Sequence, residues 1–307
     1  MRFLAVTALA AALLAAQASA ADTAGFAFLQ VPVGARAVAL GGAFSSVTGD
    51  PLALYWNPAS ALTVPSQMLT TNYTGYLMDM QAGFAGWLSP HESDAVGVSL
   101  NYFYGGSFDR TTMSDPLGDG TTFSSNSVAL SGTYARRVTD EIGAGVSGKF
   151  VYSTIDTYNG NAFLADVGLT WSPGAVDFLD AALVVRNAGI QTKAFYAEND
   201  PLPTEVTAGA SAVLMDDRLL VTTDLTYPIN GDFWAGLGAE YSPMEMLTLR
   251  AGGNTRDMDA ADQAGGGFVD GLAFGVGTRW NRFGLDYSFK PFADLGSIHR
   301  ISLAFSL

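Results

Sequence analysis

Ile301-Ser302-Leu303-Ala304-Phe305-Ser306-Leu307 places four apolar side chains on one face of an extended chain and two serines and an alanine on the other. Successive residues of a β-strand point to opposite faces, so this stretch reads as a strand with one oily side and one small, polar side. The same alternation recurs upstream. Val96, Val98, Leu100, Tyr102 and Tyr104 oppose Gly97, Ser99 and Asn101; Phe163, Val167, Leu169 and Trp171 oppose Asp166, Gly168 and Thr170. Leu219, Val221, Leu225 and Tyr227 oppose Thr222, Asp224 and Thr226, and Phe283, Leu285, Tyr287 and Phe289 oppose Gly284, Asp286 and Ser288.

Alternation alone fits a sandwich with its oily faces inside as well as a barrel with its oily faces outside. Three features favour the barrel. Hydrophobic residues make up 49% of the chain, yet no apolar run long enough for a membrane helix occurs beyond the N-terminal region. Arg2, an apolar stretch over residues 3–16 and Ala18-Ser19-Ala20 form the pattern of a cleaved signal peptide, residues 1–20, so the protein is expected to be exported. Aromatic residues sit near segment ends, at Trp87, Tyr104, Trp171, Tyr227, Tyr241 and Trp280, where a bilayer has its interfaces. The expected fold is all-β: a transmembrane antiparallel β-barrel in the outer membrane of a diderm bacterium. The absence of cysteine agrees, because a closed ladder of backbone hydrogen bonds does not depend on disulfides.

About fourteen such segments follow one another from residues 66–77 to residues 298–307, an even number that lets the last strand pair antiparallel with the first. Short connections alternate with long polar ones at 106–122, 188–202 and 255–270, and the long ones are expected on the extracellular side. Residues 21–65 differ in texture: glycine and proline interrupt them and no alternation persists. The predicted organisation is therefore a signal peptide (1–20), an N-terminal hatch or plug segment (21–65) and the barrel (66–307).

That N-terminal segment carries a resemblance. Gly34-Ala35-Arg36-Ala37-Val38-Ala39-Leu40-Gly41-Gly42-Ala43-Phe44, then Asp50, Leu54-Tyr55-Trp56-Asn57-Pro58-Ala59 and Leu62, resembles the N-terminal signature of the PorV/PorQ family, part of a wider group of FadL-like barrels. Asp115-Pro116-Leu117-Gly118-Asp119-Gly120, Tyr134-Ala135-Arg136-Arg137, Arg186-Asn187-Ala188-Gly189, Leu202-Pro203-Thr204 and His299-Arg300-Ile301-Ser302-Leu303 extend the likeness over nearly the whole mature chain. The resemblance implies fourteen strands and an inward-folded hatch. It also implies a non-enzymatic role in type IX secretion and surface attachment, with secretion proteins or cargo C-terminal domains as partners. The alternative it carries is FadL-like transport of hydrophobic small molecules such as long-chain fatty acids. Ser60 departs from the pattern, since many FadL-like sequences have glycine after Asn-Pro-Ala.

The residues agree with a buried segment, because Phe26, Phe28, Leu29, Val31, Phe44, Tyr55 and Trp56 need somewhere to go and the barrel interior is nearest. In that setting Arg36 would meet lumenal carboxylates, its alternative being a solvated loop arginine; Gly41-Gly42 would permit close backbone packing, and Asn57-Pro58 would turn the chain toward the first strand. Asp166, Asp224, Glu240 and Asp286, with Arg250 and Arg279, lie opposite apolar faces, so they are predicted to point into the lumen and pair with one another or with the segment. An arginine facing lipid at mid-bilayer would cost ~2–4 kcal/mol.

No catalytic, cofactor or metal set emerges. Gly143, Gly145 and Gly148 spell a Gly-x-Gly-x-x-Gly, but inside an alternating strand instead of at a strand-to-helix turn. His91 and His299 lack the surroundings of a hydrolase, and Asp257, Asp259 and Asp262 lack calcium-loop spacing and read as a solvated acidic loop. A formal net charge of -14 argues against nucleic acid as a partner.

Overall fold

Fourteen antiparallel strands form one sheet that closes on itself. They are β1 (Met68–Gly75), β2 (Gln81–Pro90), β3 (Asp94–Asp109), β4 (Thr122–Arg137), β5 (Ile142–Ile155), β6 (Tyr158–Trp171), β7 (Leu179–Lys193), β8 (Glu205–Leu214), β9 (Leu219–Pro228), β10 (Trp234–Met244), β11 (Leu247–Asn254), β12 (Leu272–Trp280), β13 (Phe283–Pro291) and β14 (Ser297–Ser306). Each strand pairs with its neighbours in sequence, and β14 returns to β1, with Leu69 opposite Phe305 and Tyr73 opposite Ile301. Closure leaves no strand edge with unpaired backbone groups, the condition for crossing a bilayer with strands. This computed structural model describes residues 25–111, 113, 118, 120–292 and 296–307. The expected signal peptide, residues 1–20, lies outside the described residues, as does part of the 115–120 run.

The oily sides look outward. Leu130 is 58% exposed while its neighbours Ala129 and Ser131, on the other face, are buried. Val98, Phe163, Val167, Leu225, Leu285 and Leu303 are exposed in the same way. Trp171, Tyr241 and Trp280 lie outward near one rim, the rim that also carries the start of β1 and the end of β14. Connections at that rim are short, whereas the opposite rim carries 110–121, 194–204 and 255–271, the asymmetry of a barrel whose long loops are extracellular.

The wall is uneven in height. Strands β3 to β7 run 14 to 16 residues, against 8 to 11 for the others. About 9–11 residues suffice to span the bilayer, so β3 to β7 rise beyond the outer rim. There the outward positions turn polar, at Asn126, Thr154, Asn159, Asn161 and Thr192, several of them hydrogen-bonded to one another or to the neighbouring backbone. The inner face of the same wall supplies Ala129, Val151, Ala162 and Leu164 to an apolar cluster with Phe26, Phe28 and Leu29.

Two strands run past points where the sequence suggests loops. β7 continues from Asn187 to Lys193 through a bulge: Asn187 adopts φ 58 and donates its N–H to Asp166 at 2.8 Å, and pairing with β6 then resumes. β3 passes Gly105-Gly106 by a second bulge, with Gly106 at φ 96. The reading of 255–270 as a solvated loop needs correction. It folds into a helix, Thr255–Gln263, that Asn254 caps by accepting Asp257 N–H at 2.8 Å, and Asp257 pairs with Lys290 at 2.5 Å.

Residues 25–65 contain only short helical turns, including α1 (Ala35–Ala39) and α2 (Ala53–Trp56); Thr255–Gln263 is therefore α3. Gly25 donates its N–H to Pro201 in the outer 194–204 connection, while the other end of the segment leads into β1 at the opposite rim. α1 packs against β11 to β14, and the turn Pro58–Thr63 packs against β2 to β6. Leu40, Phe44, Leu52, Leu54 and Trp56 form a buried cluster with Phe84, Leu88, Ala95 and Ala135 of the wall.

Candidate functional site in the barrel lumen

Gly34, at φ +95, turns the chain into α1, whose first N–H, from Ala35, donates to Ser302 of β14 at 2.8 Å. One residue on, Arg36 places its planar guanidinium against two carboxylates. Nε and Nη2 each donate to Glu240 at 2.8 Å, and Nη1 donates to Asp50 at 3.0 Å. Glu240 also accepts from Arg250 at 2.5 Å; Arg250 reaches Asp286 at 2.7 Å, and Asp286 meets Arg279 at 3.4 Å. Six side chains thus alternate in sign from Asp50 to Arg279, three cations with three carboxylates. Bidentate, charge-assisted pairing of this kind is what permits the first five charges to be removed from water, while Arg279 stays about half exposed.

Asp224 is held differently. It is 1% exposed and accepts from the N–H groups of Phe44 and Ser45, at 3.0 Å each, and from the Ser45 hydroxyl at 2.7 Å. Asp166 pairs with Lys149 at 2.6 Å. Asn57 donates to Ser45 O at 2.8 Å and accepts from Ala59 N–H at 3.0 Å, so it caps the turn that Pro58 begins. The Trp56 indole donates to Val33 O at 3.0 Å. Gly41 and Gly42 both have positive φ, and a Cβ on Gly41 would lie 2.5 Å from Gly253 N, so the backbone passes the wall with no room for a side chain.

The predicted inner-face charges therefore gather into one six-residue network and two separate sites, at Asp166 and Asp224. Sequence reasoning missed Lys149, Arg186, Glu205, Lys290 and Arg300, all buried. Arg186 pairs with Glu205 and stacks its guanidinium over the rings of Tyr55 and Trp56, 5.4 and 4.9 Å from their centroids. Parity held the signal for Lys149 and Arg300, which alternate with Phe150 and Ile301. Leu183-Val184-Val185 precedes Arg186 and hides its face. A narrow cleft lined by Gln30, Tyr55, Trp56, Arg186, Trp234 and Arg256 enters this region.

Tyr55 donates its hydroxyl hydrogen toward Leu29 O and Val31 O, both 2.9 Å away, and burial pushes its phenol up to about 12. A phenol that ionises later in the folded protein adds stability fully present below pH 10 and lost as pH rises toward 12. Replacing Tyr55 by Phe should remove roughly 2–3 kcal/mol of the wild-type stability loss across that window, measured by denaturant unfolding at stepped pH. Parallel pH curves for the two proteins would contradict the assignment.

A closed, even-stranded antiparallel barrel with an oily exterior and a charge-paired interior is a bacterial outer-membrane β-barrel. Within that class residues 14–167 match the family described as type IX secretion system protein PorV, and the chain belongs to that family. Solved structures of the same fold include the Pseudomonas putida toluene transporter TodX, with TM-score 0.62, 13% identity and coverage of 93% of this chain and 98% of TodX. The monoaromatic hydrocarbon channel CymD has TM-score 0.62 at 13% identity, covering 90% of this chain and 98% of its own. A Pseudomonas aeruginosa FadL homologue has TM-score 0.54 at 14% identity, with coverage of 90% and 98%. At such identities the likeness is one of fold. No curated protein matches the chain.

Proposed function

We propose that this protein is a non-enzymatic outer-membrane component of type IX secretion. Residues 21–65 serve as a hatch within the barrel of residues 66–307, and the outer-rim loops engage secretion proteins or cargo C-terminal domains. The observation that carries this reading, beyond family membership, is a lumen occupied by the chain itself. Arg36 is fixed between Asp50 and Glu240, and Gly41, Gly145 and Gly252 let backbone lie against backbone on both sides of the ring. A conduit for long-chain fatty acids or other hydrophobic small molecules would need an apolar cavity beside the hatch. The apolar inner-wall residues Val151, Ala162 and Leu164 are instead covered by Phe26, Phe28 and Leu29, and the cleft beside Trp234 is lined with charge.

The test is deletion of the gene in a parent organism that possesses the secretion translocon. Cargo bearing the secretion C-terminal domain should accumulate in the periplasm, and the wild-type gene should restore export. Undiminished secretion in the deletion strain would remove the proposal, and restored uptake of a hydrophobic solute as the only complemented defect would replace it with the transport reading.

A further inference from the structure

Buried cations on the inner wall come with carboxylates. Lys149 has Asp166, Arg186 has Glu205, Arg250 has Glu240 and Asp286, and Lys290 has Asp257. Arg300 of β14 breaks the pattern. It is 2% exposed, and among the described residues its Nε and Nη1 have no hydrogen-bond partner. Directly across the ladder on β13 stands Ser288, 0% exposed, whose hydroxyl is also without a partner. Two adjacent inner-wall positions thus present unsatisfied donors to the same part of the lumen.

Charge sharpens the point. The carboxylate closest in influence, Asp257, is already engaged by Lys290 and by the Asn254 amide at 2.7 Å. Lys290 shares the inner face of β13 with Ser288, so its own charge adds to that of Arg300. A water molecule could accept hydrogen bonds here, but it would leave the guanidinium uncompensated in a place removed from solvent. An anion supplies both the acceptors and the opposite charge. Thr74 and Ile298, on the same inner surface beside Arg300, are themselves buried to within 2% exposure, which restricts the occupant to a small group.

We infer that the outer half of the lumen holds a binding site for a small oxyanion, a carboxylate or a phosphate, built on the Arg300 guanidinium and the Ser288 hydroxyl. The ligand ties β13 to β14 next to the seam where β14 meets β1.

The purified barrel in detergent, equilibrated in gluconate as a bulky anion, is titrated with inorganic phosphate and, separately, with acetate at constant ionic strength. Thermal unfolding is followed by tryptophan fluorescence. A saturating rise in unfolding temperature of roughly 5 °C is expected with one or both anions. Response to acetate alone identifies a carboxylate site, and response to phosphate alone a phosphate site. Ser288→Ala should raise the half-saturating concentration by roughly tenfold, and Arg300→Met should abolish the response. No saturating response in the wild type, or a wild-type response in Arg300→Met, overturns the inference. If Arg300→Met does not fold, an unchanged half-saturation in Ser288→Ala overturns it.

Discussion

Replacing Arg36 by Met is expected to destabilise the folded protein by about 3–5 kcal/mol, because it removes one partner from a buried ionic array and leaves the others in place. Methionine keeps most of the aliphatic stem, so the loss is electrostatic in origin. Glu240 would retain Arg250, but Asp50, 6% exposed, would lose its only cation among the described residues. The barrel itself should survive, since its strands are joined by backbone hydrogen bonds that Arg36 does not make. The expected picture is a barrel that still resists unfolding in cold SDS while a protease cleaves within residues 25–65. Adding Asp50→Leu should recover part of the loss, because a site with both partners removed holds no stranded charge. Wild-type stability and protease resistance in the single variant would show that this network does not hold the segment.

Gly252→Val in β11 should cost about 1–3 kcal/mol for a different reason. Valine is a better strand former than glycine, so the wall gains locally from the change. A Cβ at this position, however, would stand 2.5 Å from Gly41 N and close to the Leu40 backbone, and main chain cannot step aside as a side chain can. The control is Gly148→Val in β5, where a Cβ meets nothing within 4 Å and faces outward. That variant should be neutral or slightly stabilised by the same unfolding measurement. Equal effects at the two positions would mean that the segment does not press on β11.

The barrel was legible because its signal is a two-residue period repeated along the chain, and Val98, Leu225 and Leu303 report the facing of their whole strands. Lengths were less so. Asn187-Ala188-Gly189 has the composition of a loop, yet one left-handed residue and one hydrogen bond to Asp166 suffice to carry β7 onward. Glycine at 105 and 106 misled in the same way, since a bulge and a loop draw on the same residues. The helix after Asn254 was hidden by its brevity and by acidic residues that look solvated until one of them meets Lys290. Among the site residues, the partners of Arg36 lie 14 and 204 positions away, and no local pattern joins them. Parity could say that Glu240 and Arg250 face inward; only the folded N-terminal segment brings Arg36 to the same glutamate.

The placement of α1 and of the Pro58–Thr63 turn bears on assembly. The turn rests on strands made early in the chain and α1 on strands made last, so residues 25–65 act as a strut across the seam where β14 meets β1. A growing sheet can gather the turn at once, but α1 has no anchor until β10 to β14 exist. Docking the strut shortens the gap that β14 must bridge to reach β1, and so lowers the entropy cost of the longest-range pairing in the molecule.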